Sequence, residues 1–143
     1  MLFCDTSTLA KYYVSESQSA KVRARLESED QVILCELAKA ELAGTLHRHL
    51  REQKWTGKEF QAVVRQFLAD DLSGYWTWVP LESNIIKQAV DAYITLPKTI
   101  FLRAADCLHL ITAVRHGFSE IYTHDTHQAQ AARALGLEAL VIQ

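Results

Sequence analysis

The feature that most constrains the fold is a series of five short apolar runs separated by segments with helical periodicity. Each run is too short for a helix and is typical of a strand buried on both faces of a sheet. Strands that alternate with helices are joined by right-handed crossovers, so the sequence predicts an α/β fold. We expect a three-layer α/β/α sandwich with a central, mainly parallel sheet of about five strands. The predicted strands are Met1–Cys4, Val32–Cys35, Trp76–Val79, Glu120–Thr123 and Ala139–Ile142.

The predicted helices fill the intervals between these strands. One follows Asp5, and another has a capping signal at Thr56–Glu59, where a hydroxyl precedes an acid by three residues. Asp70, Asp71 and Ser73-Gly74 are expected at the end of that second helix, exposed to solvent. The remaining predicted helices cover Ser19–Glu27, Glu36–Glu52, Ser83–Leu96, Phe101–His116 and Gln128–Leu135.

The 143 residues are 49% apolar, which is enough to bury one sizeable core, and no linker or repeat divides them. We therefore expect one domain, residues 1–143. No apolar run approaches the roughly 18 residues that a membrane-spanning helix needs, and the N-terminal segment has an acid at Asp5 instead of a basic stretch before an apolar one. A cytoplasmic protein without a membrane partner is therefore expected. The three cysteines are widely spaced and are expected to be small buried hydrophobic side chains.

A formal net charge of −2 argues against the broad positive surface of a nucleic-acid coat protein. One local basic stretch surrounds Trp55 and contains Arg48, Arg51 and Lys54. Such a stretch can follow a phosphate backbone while its aromatic ring stacks on a base. The alternative is a helix end exposed to solvent.

Two acids follow predicted strands directly. Asp5 comes after the first strand, and Asp125 comes after the strand at Glu120–Thr123. Because parallel strands end at the same edge of a sheet, both carboxylates should lie at the edge where ligands bind in such folds. Each acid could instead only cap the helix that follows it.

Two further acids lie within predicted helices. Asp106 is surrounded by apolar residues, where an unpaired charge is costly. Either a basic partner neutralises it, with Arg103 and His109 as neighbours, or it faces a polar cleft and a cation. Glu41 lies at the margin of an apolar helix face, and its position alone does not decide its role.

Four motifs in this order carry a resemblance: Asp5-Thr6-Ser7, Glu41, Ala105-Asp106 with Leu110 and Ala113 behind it, and Tyr122-Thr123-His124-Asp125. Together they resemble the PIN-domain nucleases, especially the VapC-type toxins of type II toxin-antitoxin systems. The resemblance covers the whole chain, and the segment 131–137 is also similar.

The resemblance implies a divalent-metal-dependent endoribonuclease in which Asp5, Glu41, Asp106 and Asp125 form the acidic, metal-binding quartet. Ser7 and Thr123 match the hydroxyl positions that accompany these acids. Mg²⁺ or Mn²⁺ suits oxygen ligands, and a metal-bound water would hydrolyse the RNA phosphodiester bond. The resemblance also implies a homodimer and a small antitoxin partner that blocks the acidic cleft.

Other functions fit the residues less well. A phosphotransferase with a nucleophilic aspartate requires a second acid where this chain has Ser7, and a phospho-acceptor domain requires a late lysine that is missing after Lys98. His124-Asp125 is similar to the His-Asp pair of metal-dependent phosphohydrolases, but the helical framework of those enzymes is absent. A PIN nuclease of RNA processing and a non-catalytic PIN-like binding module both stay open.

Overall fold

The computed structural model describes all residues from 1 to 143 and contains five strands and seven helices. The strands are Leu2–Phe3 (β1), Val32–Cys35 (β2), Trp76–Val79 (β3), Glu120–Tyr122 (β4) and Glu138–Leu140 (β5). The helices are Thr6–Tyr13 (α1), Ser19–Glu27 (α2), Leu37–Arg51 (α3), Gly57–Leu72 (α4), Ser83–Thr95 (α5), Ala104–Arg115 (α6) and Thr126–Ala134 (α7). No helix has the length and apolar character that crossing a membrane requires.

All paired strands run parallel, as the alternation of strands and helices predicts. One sheet has the order β1-β2-β3, and β4 pairs with β5 in a second. A single parallel bridge between Cys4 and Tyr122 joins the two sheets. The combined order is therefore β3-β2-β1-β4-β5, and the direction in which the chain adds strands reverses between β1 and β4.

The two faces of the sheet bury separate apolar clusters. Alternate residues of β1 and β2 point to opposite sides, so Leu2 and Leu34 join one cluster while Phe3 and Cys35 join the other. Helices α1 to α4 supply the first cluster, and α5 to α7 supply the second. The predicted three-layer α/β/α fold is confirmed. All three cysteines are buried, also as predicted.

Helix α6 begins at Ala104, three residues later than the sequence predicts. The prediction extended the helix to Phe101 because Phe101 and Leu102 continue its apolar pattern. In the structure Leu102 is buried, its carbonyl accepts a 2.7 Å hydrogen bond from Tyr93 Oη, and Arg103 has an extended backbone. These contacts hold the segment out of the helix and leave Arg103 at its N-cap position.

Candidate active site

The candidate site lies between β1 and β4, where the order of the strands reverses. In open α/β sheets, ligands bind beyond the carboxyl ends of the strands at this switch point. Asp5 follows β1 and Asp125 follows the loop after β4. The Asp5 amide donates a 3.1 Å hydrogen bond to the Tyr122 carbonyl, so the two chain segments leave the sheet side by side.

An open cleft of about 580 Å³ covers this point, and all four predicted acids line it. Ser7 and Arg48, which the sequence also predicts as functional, are among the lining residues. Thr123 is fully buried behind them. Arg51 and Lys54 lie outside the cleft, exposed at and beyond the end of α3. The structure adds lining residues that the sequence did not single out as functional: Thr6, Lys11, Thr45, Arg103 and His109.

Asp5 is buried at 1% exposure, and its carboxylate accepts three hydrogen bonds. Oδ1 accepts from the Thr8 amide at 3.1 Å, which caps α1, and from Ser7 Oγ at 2.6 Å. Oδ2 accepts from Thr123 Oγ1 at 2.5 Å. Burial raises the pKa of Asp5, and the hydrogen bonds from Ser7 and Thr123 offset only part of that rise. The Asp5 carboxylate thus caps α1 and also lines the cleft.

Ser7 and Thr123 also fix the loop that follows β4. The His124 amide donates to Ser7 Oγ at 2.8 Å, and the Asp125 amide donates to Thr123 Oγ1 at 3.1 Å. The His124 ring lies within hydrogen-bond distance of Thr8 Oγ1 and of the Ile142 carbonyl, at 3.0 and 3.1 Å. A carbonyl only accepts, so the His124 Nε2 carries a proton. This histidine therefore supports the loop.

Glu41 projects from α3 and shares its Oε1 between two partners. Thr6 Oγ1 donates to it at 2.7 Å, and His109 Nε2 of α6 forms a short hydrogen bond with it. Burial would raise the pKa of Glu41, but the hydrogen bonds from His109 and Thr6 and the charge of Arg103 outweigh burial, and the pKa is lowered. The buried His109 Nδ1 has no hydrogen-bond partner. Of the two basic neighbours that the sequence offers Asp106, His109 contacts Glu41 instead.

Asp106 and Asp125 are joined by one arginine. Arg103 Nε donates to Asp106 Oδ2, and its Nη2 donates to Asp125 Oδ2, both at 2.7 Å. Asp125 Oδ1 accepts from the amides of His127 and Gln128 at 2.8 and 3.1 Å and so caps α7. Asp106 therefore has one of its two predicted basic neighbours as a partner and also lines the polar cleft. The pKa of Arg103 is raised, mainly by the hydrogen bond to Asp106 and the charge of Asp106, and to a smaller extent by Asp125.

The ligand atoms that the acids offer are all carboxylate oxygens. Mg²⁺ and Mn²⁺ prefer oxygen, and Mg²⁺ typically keeps several waters while binding one or two carboxylates. No group of three or more His, Cys, Asp or Glu side chains is arranged to hold a metal ion. The arrangement thus suits a hydrated ion held through one or two carboxylates and does not suit an ion enclosed by protein ligands.

A family profile described as "PIN domain" matches residues 2–134 of this chain. No curated protein sequence matches this chain significantly. The matched segment contains all four acids of the cleft and both hydroxyl residues beside Asp5.

Several solved structures share the fold at low sequence identity. VapC20 of Mycobacterium tuberculosis, described as a sarcin-ricin loop cleaving toxin, is 16% identical with a TM-score of 0.72 over 92% of this chain and 95% of its own. FitAcB of Neisseria gonorrhoeae is 21% identical with a TM-score of 0.71, over 98% and 96%. VapBC2 of Rickettsia felis, solved bound to a DNA fragment from its promoter, is 12% identical with a TM-score of 0.70, over 100% of both chains.

Proposed function

Because the chain belongs to the PIN domain family, we propose that it is a divalent-metal-dependent endoribonuclease and the toxin of a toxin-antitoxin pair. The observation that supports this most is the convergence of Asp5, Glu41, Asp106 and Asp125 on one cleft from four separate parts of the chain. Clustered carboxylates repel one another, so a site that brings four together suits a cation.

The four acids divide into two pairs with different roles in this proposal. Asp5 and Asp106 bind the metal directly, while Glu41 and Asp125 hold its waters or a second ion. Ser7 and Thr123 hold the Asp5 carboxylate in one orientation through their hydrogen bonds. A bound Mg²⁺ or Mn²⁺ supplies a water of lowered pKa and neutralises charge on the scissile phosphate.

The RNA backbone is proposed to enter along the basic wall of the same cleft. This wall is defined by Arg48 and Lys11, which both line the cleft. Arg51 and Lys54 lie outside the cleft, and Lys54 pairs with Glu52. Arg48→Ala should therefore raise the KM for RNA severalfold, whereas Arg51→Ala and Lys54→Ala should change it less. Equal effects of the three variants would contradict this path.

The proposed partner is a small antitoxin that covers the cleft, and the proposed assembly is a homodimer in the cytoplasm. Support for the antitoxin partner comes from solved structures such as FitAcB and VapBC2, whose fold this chain shares. A toxin-antitoxin complex from Klebsiella pneumoniae also shares the fold, with a TM-score of 0.63 at 16% identity. Expression of the wild-type chain alone should arrest growth, and co-expression of a cognate antitoxin should relieve the arrest.

The decisive experiment compares RNA cleavage by the wild type, Asp5→Asn and Asp91→Asn in Mn²⁺ and in EDTA. Asp91 is an exposed acid on α5 and serves as the matched control. Loss of a metal ligand should reduce the rate by about 100-fold or more, as should EDTA, while Asp91→Asn should cleave like the wild type. Cleavage by Asp5→Asn at the wild-type rate would refute the assignment. No cleavage by the wild type and no Mn²⁺-dependent rise in its melting temperature would favour the non-catalytic module.

A further inference from the structure

One guanidinium group contacts half of the acidic quartet. Arg103 bonds Asp106 through Nε and Asp125 through Nη2, and these two acids come from different elements of the fold. The other two acids have other partners, because hydroxyl groups bind Asp5 and His109 pairs with Glu41. The positive charge between Asp106 and Asp125 therefore comes from the chain itself.

The bond to Asp125 uses the only oxygen of that carboxylate that is not committed to the helix cap. Oδ1 of Asp125 accepts the amides of His127 and Gln128 at the start of α7. Oδ2 is the atom that remains for a ligand in the cleft, and Arg103 Nη2 lies 2.7 Å from it. A cation that bound Asp125 through Oδ2 would have to take the place of the guanidinium at this oxygen.

The exposed side chain of Arg103 can also move away from Asp106 and Asp125. Its side chain is 55% exposed, whereas the Asp106 side chain is 11% exposed and is fixed in the first turn of α6. A guanidinium is more weakly hydrated than an ammonium and carries its charge at any pH of interest, so its attachment to the acids does not depend on proton uptake. The carboxylates are thus held in place, and the arginine is the mobile member of the group.

Resting on the metal dependence proposed above, we propose that Arg103 is an internal counter-ion that competes with the divalent cation for Asp106 and Asp125. In the metal-free protein the fork of the guanidinium holds the two acids together and cancels one of their two negative charges. For a divalent cation to bind these oxygens, the guanidinium would have to leave them for the open cleft. Arg103 thereby sets the metal concentration at which the site fills.

The test is calorimetric titration of Mn²⁺ into wild type, Arg103→Gln, Arg103→Lys and Arg115→Gln, without RNA. Arg115 is exposed in the last turn of the same helix and controls for loss of one positive charge. Removal of the competitor should tighten Mn²⁺ binding by about three- to tenfold at low salt, with Arg115→Gln near the wild type. Arg103→Lys should lie between, because it keeps the charge and loses the two-pronged contact. Thermal melts of each metal-free variant establish that it is folded.

Two results would overturn the inference. Weaker Mn²⁺ binding in Arg103→Gln would make Arg103 a positioning residue for the metal ligands. Unchanged binding in Arg103→Gln would show that the bridge exerts no competition. If Arg103→Gln binds Mn²⁺ more tightly and Arg103→Lys binds like the wild type, the competition stands and is assigned to charge without the two-pronged contact. Asp106→Asn identifies the cleft as the binding site, and Mn²⁺ binding that this variant does not weaken would contradict the metal site itself. That failure differs from one in which Asp106→Asn binds poorly and Arg103→Gln binds like the wild type.

Discussion

At the scale of single residues, the site combines one acid whose charge is unfavourable in the fold with another whose charge is favoured. Burial raises the pKa of Asp5 despite its three hydrogen bonds. Hydrogen bonds from His109 and Thr6 lower the pKa of Glu41 despite its partial burial. The two carboxylates should therefore have opposite effects on the stability of the metal-free protein.

Asp5→Asn should stabilise the metal-free protein at neutral pH while it removes the Mn²⁺ response. The raised pKa means that the penalty of the Asp5 charge is absent below the unfolded pKa and develops as pH rises through the folded value. The hydroxyl of Thr123 can turn to accept from the new amide. A rise of a few degrees in melting temperature is expected, since roughly 1 kcal/mol corresponds to about 3 °C in a domain of this size. A fall in the melting temperature of Asp5→Asn at pH 7, with Asp91→Asn unchanged, would contradict this prediction.

Glu41→Gln should destabilise the metal-free protein by about 1–2 kcal/mol at pH 7, since it removes a charged hydrogen-bond partner from buried His109. The lowered pKa of Glu41 makes its contribution full above the unfolded pKa and lost as pH falls through the folded value. The difference from the wild type in denaturant melts should thus shrink in acid. Glu138→Gln, at an exposed acid, is the control. A difference that is independent of pH would argue against the ion pair.

The sequence predicted Asp5, Asp106 and Asp125 from physical features, namely two strand ends and one charge within an apolar helix. The bridging role of Arg103 was not predictable, because its bond to Asp125 spans 22 positions and depends on where α6 begins. The partner of Glu41 was equally hidden, since His109 is 68 residues away. The only local signal was a polar ring on an otherwise apolar helix face.

At the scale of elements, the predicted boundaries were most accurate where local chemistry decides them. Ser19–Glu27, Val32–Cys35 and Trp76–Val79 agree with the structure at both ends. The start of α6 was wrong, because the tertiary contacts of Leu102 override a continuous apolar pattern there. The predicted α4 cap is a complete capping box, in which Thr56 Oγ1 accepts from the Glu59 amide and Glu59 Oε1 accepts from the Thr56 amide, both at 3.2 Å.

Thr56→Ala should cost about 1 kcal/mol of unfolding free energy, because it removes the side-chain acceptor for the first turn of α4. Thr56→Ser keeps the hydroxyl and should restore most of this stability. Neither variant should alter Mn²⁺ affinity, since α4 contributes no side chain to the cleft. Denaturant titration measures the change, and equal stability of the alanine and serine variants would show that the capping hydroxyl is dispensable.

At the scale of the whole molecule, one helix leaves an apolar surface uncovered. Ile86, Val90 and Ile94 repeat every four residues along α5, and their exposed fractions are 44%, 58% and 76%. Scattered exposed apolar side chains are ordinary, but a continuous row on one helix is typical of an interface. This face is a candidate for the contact in the proposed homodimer.

Val90→Asp should convert the proposed dimer into a monomer, because it places a charge in the centre of that face. Light scattering after gel filtration measures the mass, and the Mn²⁺ affinity of the cleft should stay the same. Gln61→Asp, on an exposed position of α4, is the matched control. A wild-type chain that is monomeric at high concentration, or a Val90→Asp variant that stays dimeric, would contradict this interface.

Asp5 and Asp125 lie on opposite sides of the boundary between β1 and β4, where the two sheets share one bridge and a few hydrogen bonds. The apolar cluster under α5 to α7 crosses this boundary, because it contains Phe3 of β1 and Ile121 of β4. A ligand that binds both acids would link the two sheets at their carboxyl ends, and its binding free energy would resist their separation there. Local opening at this edge would part the two acids while the apolar cluster stays packed, so the proposed site could be lost with most of the structure intact.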